Sequence, residues 1–146
     1  MKERFKMIAA VYAIIQDPER KILFGRRKTS GFYDGYFGLP AGHVDGGESL
    51  KQSMIREAKE EIGIDIVSND LHLVHTLHRA NASERERLDF FFTVDAFEGE
   101  PVNCEPDKCT ELAYLDINRD NQIVPYVQET LQFIEQGQNS FEREFV

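Results

Sequence analysis

Residues 42–64 read GHVDGGESLKQSMIREAKEEIGI, and this stretch decides the fold. Gly42, Gly46 and Gly47 mark a turn that needs unusual backbone angles or close approach of another group. A helix is predicted from about Ser49 to Ile62, because Leu50, Met54, Ile55, Ala58 and Ile62 recur at helical spacing and form one buried stripe. Gly63 is a natural C-terminal stop. Within this helix Glu57, Glu60 and Glu61 stand at i, i+3 and i+4, so they share a face. Three adjacent carboxylates repel one another. Glu60 and Glu61 also fall near the negative end of the helix, where an anion costs roughly a few tenths of a kcal/mol. Divalent cations such as Mg²⁺ would account for the placement, since they take hard oxygen ligands. A solvated acidic face is the alternative, and such faces are common in acidic proteins. Arg56 can reach Glu60 at i+4, and Glu48 opens the helix, where its carboxylate suits either a cap or an active site.

Outward from this stretch, strand signals occupy both halves of the chain. Residues 5–15 read as a mostly apolar strand, 17–20 as a turn, and 21–27 as the returning strand of a hairpin ending in Arg26 and Arg27. A loop follows at 28–35 and a short strand at 36–41. Beyond the helix, 64–67 reads as a short strand, 71–77 as an alternating one and 79–86 as a polar loop. Residues 87–97, RLDFFFTVDAF, carry the strongest strand signal and suit the interior of a sheet. A turn-rich loop covers 98–108, a last short strand 112–115 and a polar loop 116–124. A second helix is expected from Pro125 to about Gln136, followed by a packed or fraying tail. This order is not a regular βαβα alternation. It predicts an α+β fold, a mixed sheet with helices packed on it, in one domain over 1–146.

Composition narrows the function. The net charge of −9 argues against a nucleic acid polymer as partner, because no basic excess can replace its counterions. A small phosphorylated ligand bridged by divalent cations remains compatible. No apolar run approaches the ~20 residues of a membrane span. The two cysteines, Cys104 and Cys109, make neither a disulfide framework nor a zinc signal, which points to a reduced, cytoplasmic protein. His75 and His78, three apart on a strand, should point to opposite faces and share no metal.

The 42–64 stretch resembles the signature of the Nudix hydrolase family: Gly, five residues, Glu, seven residues, then Arg-Glu-aliphatic-any-Glu-Glu-any-Gly-aliphatic. Gly42, Glu48, Arg56, Glu57, Ala58, Glu60, Glu61, Gly63 and Ile64 stand in register with it, Ala58 being smaller than the usual aliphatic residue. The resemblance implies an α/β/α sandwich with a mixed sheet. It implies divalent-metal-dependent hydrolysis of a nucleoside diphosphate linked to another group, with Mg²⁺, or Mn²⁺, as cofactor. By resemblance Glu57, Glu60 and Glu61 would hold metal, the backbone carbonyl of Ala41 or Gly42 would add a ligand, Arg56 would orient Glu57, and Glu48 would support the loop and helix.

Residues 99–105 resemble the later loop of the MutT branch, so Glu105 is a candidate further ligand or general base, the helix carboxylates being the other source of a base. Arg27 is a candidate phosphate contact. Phe32, Tyr33 and Tyr36 offer rings for a base to stack on. Asn121 lies where MutT-like enzymes read the base, and its amide suits a purine edge. The first expectation is a MutT-like nucleoside triphosphate pyrophosphohydrolase. Hydrolysis of a nucleotide sugar or dinucleotide, or a non-catalytic nucleotide-binding domain, are the alternatives. The expected partner is a small nucleotide or nucleotide derivative, with no membrane and at most a second copy of the chain in a homodimer.

Overall fold

An apolar strand with no polar face needs cover on both sides, and the first strand obtains it. The computed structural model describes residues 2–81, 84–119 and 122–143. In it β1 (Ile8–Ile14) lies inside a five-stranded sheet, flanked by β4 (Ala41–His43) and β6 (Glu84–Val94). The order is completed by β5 (Leu71–Asn81) and β8 (Ser140–Arg143), giving β4-β1-β6-β5-β8. Strands β1 and β6 run parallel, as do β5 and β8, while the β1–β4 and β5–β6 pairs are antiparallel, so the sheet is mixed. A smaller antiparallel sheet joins β2 (Ile22–Arg27) to β3 (Phe37–Gly38) and β7 (Cys109–Leu115).

Helix α1 (Leu50–Ile62) covers one face of the large sheet: Met54, Ala58 and Ile62 pack with Val11, Ala13 and Phe92. Helix α2 (Pro125–Glu135) covers the other: Tyr126, Val127 and Leu131 pack with Ala10, Tyr12 and Phe91. This is the expected α/β/α sandwich. Helix α1 starts where its sequence dictates. Ser49 Oγ accepts from Gln52 N–H at 3.1 Å and the Gln52 amide oxygen accepts from Ser49 N–H at 2.8 Å, a closed capping box. It stops at Gly63, whose φ of 73° is left-handed.

Four expectations change. The strand at 36–41 is two short strands in different sheets, β3 and β4, split at Leu39-Pro40. Residues 64–67 form no strand, only a single bridge between Asp65 and Glu98. The polar segment 79–86 belongs largely to paired strands: Arg79 faces Arg87 and Asn81 faces Glu84 across β5 and β6. The tail contributes β8, which supplies β5 with a parallel edge partner.

Strand β5 also changes face partway. Leu73 pairs with Phe92 but His75 pairs with Phe91, so the register shifts by one residue at Val74. Leu71 therefore packs on the α1 side while Leu77 packs on the α2 side. His75 and His78 do lie on opposite faces, opposite Phe91 and Leu88.

Candidate active site

The site forms where β4 passes under α1. In the β1–β4 ladder Val11 pairs with Gly42, which turns Gly42 toward the helix. A Cβ on Gly42 would fall inside the Glu57 carboxylate, so the missing side chain is the cradle in which Glu57 sits. One turn further along α1, Glu61 Oε2 accepts from Ala41 N–H at 2.7 Å. Two helix carboxylates are thus brought down onto adjacent residues of one short strand.

Arg56 ties this edge together. Its Nη2 donates to Glu48 Oε1 at 2.7 Å and to the His43 carbonyl at 3.2 Å. Its Nη1 donates to Glu57 at 2.8 Å and to Glu60 at 3.3 Å. Glu48 also accepts from Ser53 Oγ at 2.6 Å and Asp45 N–H at 3.1 Å. These bonds, that from Arg56 foremost, hold the Glu48 carboxyl down to about 2. Glu48, with Arg56, is therefore a charged brace between the glycine turn and the helix. The Arg56 guanidinium is held still more firmly protonated, chiefly by Glu48.

Glu57 and Glu61 behave in the opposite way. Burial raises the Glu57 carboxyl despite Arg56, and Glu60 and Glu105 add repulsion. Burial pushes Glu61 up to about 8 against the Ala41 bond, with further repulsion from Glu105 and Glu57. Glu60 is different: it is exposed, and it accepts only the longer of the two Arg56 Nη1 bonds.

Glu105 arrives from the loop after β6 for a reason of helix chemistry. The last carbonyls of α1 lack intrahelical partners. The loop supplies them, with Val102 N–H on Ile62 O at 2.9 Å and Cys104 N–H on Glu61 O at 3.0 Å. Asn103 then accepts from Glu105 N–H at 3.1 Å and donates to Cys109 O at 2.7 Å, fixing the turn. Glu105 pairs with Lys108 at 3.3 Å and acts electrostatically on both Glu57 and Glu61.

Whether this donor set suits a divalent cation can be judged from Gly42, Glu57 and Glu61. Two recessed carboxylates are held side by side in a space kept open by a glycine, repel each other and a third, and would be relieved by positive charge. The oxygens are hard donors, so the set fits. Among the described residues, no three Asp, Glu, His or Cys side chains already converge on one point.

Two cavities flank the site. One, of about 280 Å³, is lined by Arg27, Leu39, Glu61, Glu105 and Lys108 among others. The other, of about 190 Å³, is bounded by Tyr12, Phe32, Arg79, Arg87 and Tyr126, with His43 at its edge. Arg27 reaches both, held by Nε on the Phe32 carbonyl at 2.9 Å. Tyr33 and Tyr36 line neither cavity; Phe32 does. Asn121 lies outside the described residues. The sequence reading missed Tyr12, Tyr126, Arg79, Arg87 and Asp89. The available signal was Asp89, a carboxylate set between Leu88 and the apolar run Phe90-Phe91-Phe92.

Residues 6–134 match the family profile described as NUDIX domain. The chain belongs to the Nudix family. Nudix hydrolases generally depend on divalent metal and act on small nucleotides. The Nudix chain is similar to the dihydroneopterin triphosphate diphosphatase of Escherichia coli K12, with 33% identity over 73 residues. That match covers 50% of this chain and spans 45% of the relative, less than half of its length. It is also similar to the 8-oxo-dGTP diphosphatase of the same organism, 25% identical over 116 residues, covering 80% of this chain and 88% of that one. A MutT Nudix hydrolase from Burkholderia pseudomallei superposes with a TM-score of 0.78 at 25% identity, over 87% of this chain and 97% of that one. Among the described residues, no helix of this Nudix protein is long and apolar enough to cross a membrane.

Proposed function

We propose that this protein is a MutT-like hydrolase that cleaves a pyrophosphate bond of a nucleoside triphosphate with Mg²⁺, or Mn²⁺, as cofactor. The observation that carries the reading is the pair Glu57 and Glu61, both raised by burial, held over Gly42 and Ala41 and faced by Glu105. The names of two relatives, a diphosphatase of dihydroneopterin triphosphate and one of 8-oxo-dGTP, support a triphosphate with a fused heterocycle. The net charge of −9 favours a small nucleotide over a nucleic acid polymer. The free thiols Cys104 and Cys109 favour the cytoplasm.

In this reading Glu57 and Glu61 are the principal metal ligands, with the Ala41 or Gly42 carbonyl and the exposed Glu60 completing the set. The bound metal supplies charge neutralisation for the phosphate oxygens and activation of the attacking water. Arg56 fixes the Glu57 carboxylate at 2.8 Å, so that it does not have to be ordered when substrate arrives. Glu48 keeps Arg56 in place from the other side. Glu105, on the loop that caps α1, is the general base, poised to take the proton of the water. Arg27, between the two cavities, contacts the phosphates.

The test is a panel of nucleoside triphosphates, nucleotide sugars and dinucleotides assayed with Mg²⁺ and with Mn²⁺. Pyrophosphate plus a monophosphate is the expected product pair, whereas two monophosphate-bearing fragments would point to a nucleotide sugar or dinucleotide. Glu57→Gln should lower kcat by about 10³-fold or more while the melting temperature stays close to wild type. Near-normal turnover in that variant defeats the assignment.

A further inference from the structure

Arg79 on β5 and Arg87 on β6 are direct cross-strand partners. Like charges directly opposite one another destabilise a sheet. A single carboxylate serves both: Asp89, fully buried, accepts from Arg79 Nε at 2.6 Å and stands 3.8 Å from Arg87 Nε. Arg87 Nε and Asp89 Oδ1 are both buried and neither has a hydrogen-bond partner. Arg27 reaches the same cavity. Its described wall therefore holds three guanidiniums and no carboxylate, in a chain of net charge −9.

Guanidiniums offer donors only, in a planar fork. The occupant must offer acceptors. It must also be flat enough to use the rest of the wall, where Phe32, Tyr12 and Tyr126 present rings and Arg79 lies 3.9 Å over the Tyr126 ring. A phosphate group would answer the charges and leave the rings without a role. A planar heterocycle with an acceptor edge answers both.

Arg79 is committed, being 5% exposed and locked between Asp89 and Tyr126. Arg87 is more open, and its Nη2 donates at 3.3 Å to His43 Nε2, an acceptor that a ligand can replace. We propose that this cavity selects a heterocycle presenting two adjacent acceptors, and that Arg87 is the specificity-determining residue that reads them. Guanine qualifies through O6 and N7. A 7,8-dihydropterin qualifies through O4 and the imine N5. Adenine sets an N–H donor beside N7, and 8-oxoguanine sets an N7–H beside O6, so each turns a donor toward the arginine fork. The inference rests on the nucleotide-hydrolase reading above and refines it to guanine-like and pterin-like triphosphates.

The experiment compares kcat/KM for dGTP, dATP and 8-oxo-dGTP in wild type, Arg87→Lys and Arg87→Gln, with Mg²⁺ present. Wild type should favour dGTP by about tenfold or more over the other two. Arg87→Lys, which keeps the charge but loses the fork, should erase most of that preference. Arg87→Gln, whose amide pairs a donor with an acceptor, should swing the ratio toward dATP. An equal loss on all three substrates would mark Arg87 as a phosphate contact and overturn the proposal, as would unchanged ratios. Binding of dGMP and dAMP to wild-type protein decides the matter without any substitution: tighter dGMP supports it, equal affinity overturns it. That measurement also separates the two readings, because a protein that hydrolyses no nucleotide can still show the dGMP preference.

Discussion

Gly42 lacks a side chain because Glu57 uses the volume one would fill. Its φ is not in the left-handed region, unlike that of Gly47 at 87°, so space and not backbone freedom is what it provides. The two glycines look alike in the sequence, which announces a turn or a close approach without saying which. The structure separates them, and the separation has a consequence. Gly42→Ala should push Glu57 off the strand and away from Arg56. The expected cost is about 1–3 kcal/mol of stability from overpacking, with a loss of metal-dependent turnover similar to that of Glu57→Gln. Thermal melts and initial rates check both parts, and wild-type rates in the Gly42→Ala variant would sink the account. The carboxylates of α1 were legible for a related reason. Helical spacing puts Glu57 and Glu61 on one side of α1 whatever lies beneath, so their proximity needs only local geometry. Glu105 was not legible on that basis. Its position depends on a loop closing onto the orphan carbonyls of Glu61 and Ile62, a contact between distant parts of the chain.

Strands β5 and β6 show where element-level reading ran out. Polar residues from Arg79 to Glu86 suggest a loop, yet most of them continue two long paired strands. The polarity has a different origin: this end of the hairpin borders a cavity instead of a core. The register shift at Val74 could not be foreseen either, since strict alternation would put His75 and Leu77 on the α1 side with Leu71. Arg79 is what makes the shift matter, because it lands over Tyr126 and against Asp89. Replacing it with Leu would strand the Asp89 carboxylate in the sheet. Removing one partner of a buried ion pair costs about 3–5 kcal/mol. Arg79→Leu should therefore lower the denaturant midpoint by a large fraction of total stability, and Arg79→Leu with Asp89→Leu should recover much of the loss. A double variant no more stable than the single one would show that the pair is not coupled in this way.

Across the whole molecule, the large sheet is covered on both faces by α1 and α2, and β8 pairs along the outer side of β5. Strand β8 brings Phe141 against His75, 5.4 Å between ring centres, and Phe91 meets the same imidazole at 6.1 Å. His75 is 1% exposed. Its Nδ1–H donates to the Gln138 carbonyl at 3.0 Å, and its Nε2 is buried without a partner. Burial is the larger influence and pushes the imidazole below its ordinary value, while the Gln138 bond works in the other direction. The folded protein thus prefers neutral His75, and the unfolded chain takes the proton more readily. Stability from this group is complete above the unfolded value of about 6.5 and is lost as pH falls from there through the folded value. His72 and His78 share β5 and each faces a carboxylate, Asp95 and Glu86 respectively, so the variant has to single out His75. His75→Phe does so, since it keeps a ring between Phe91 and Phe141 and removes only the one titrating group. Unfolding free energies measured on either side of about pH 6.5 should fall less steeply with acid in the His75→Phe variant than in wild type. The same slope in both would mean that His75 takes the proton as readily in the folded protein as in the unfolded chain, or that β8 opens before the proton arrives. Hydrogen exchange at the backbone amide of Thr76 tells these apart, because Thr76 N–H is bonded to Asn139 O at 2.9 Å and loses protection only when the tail lets go.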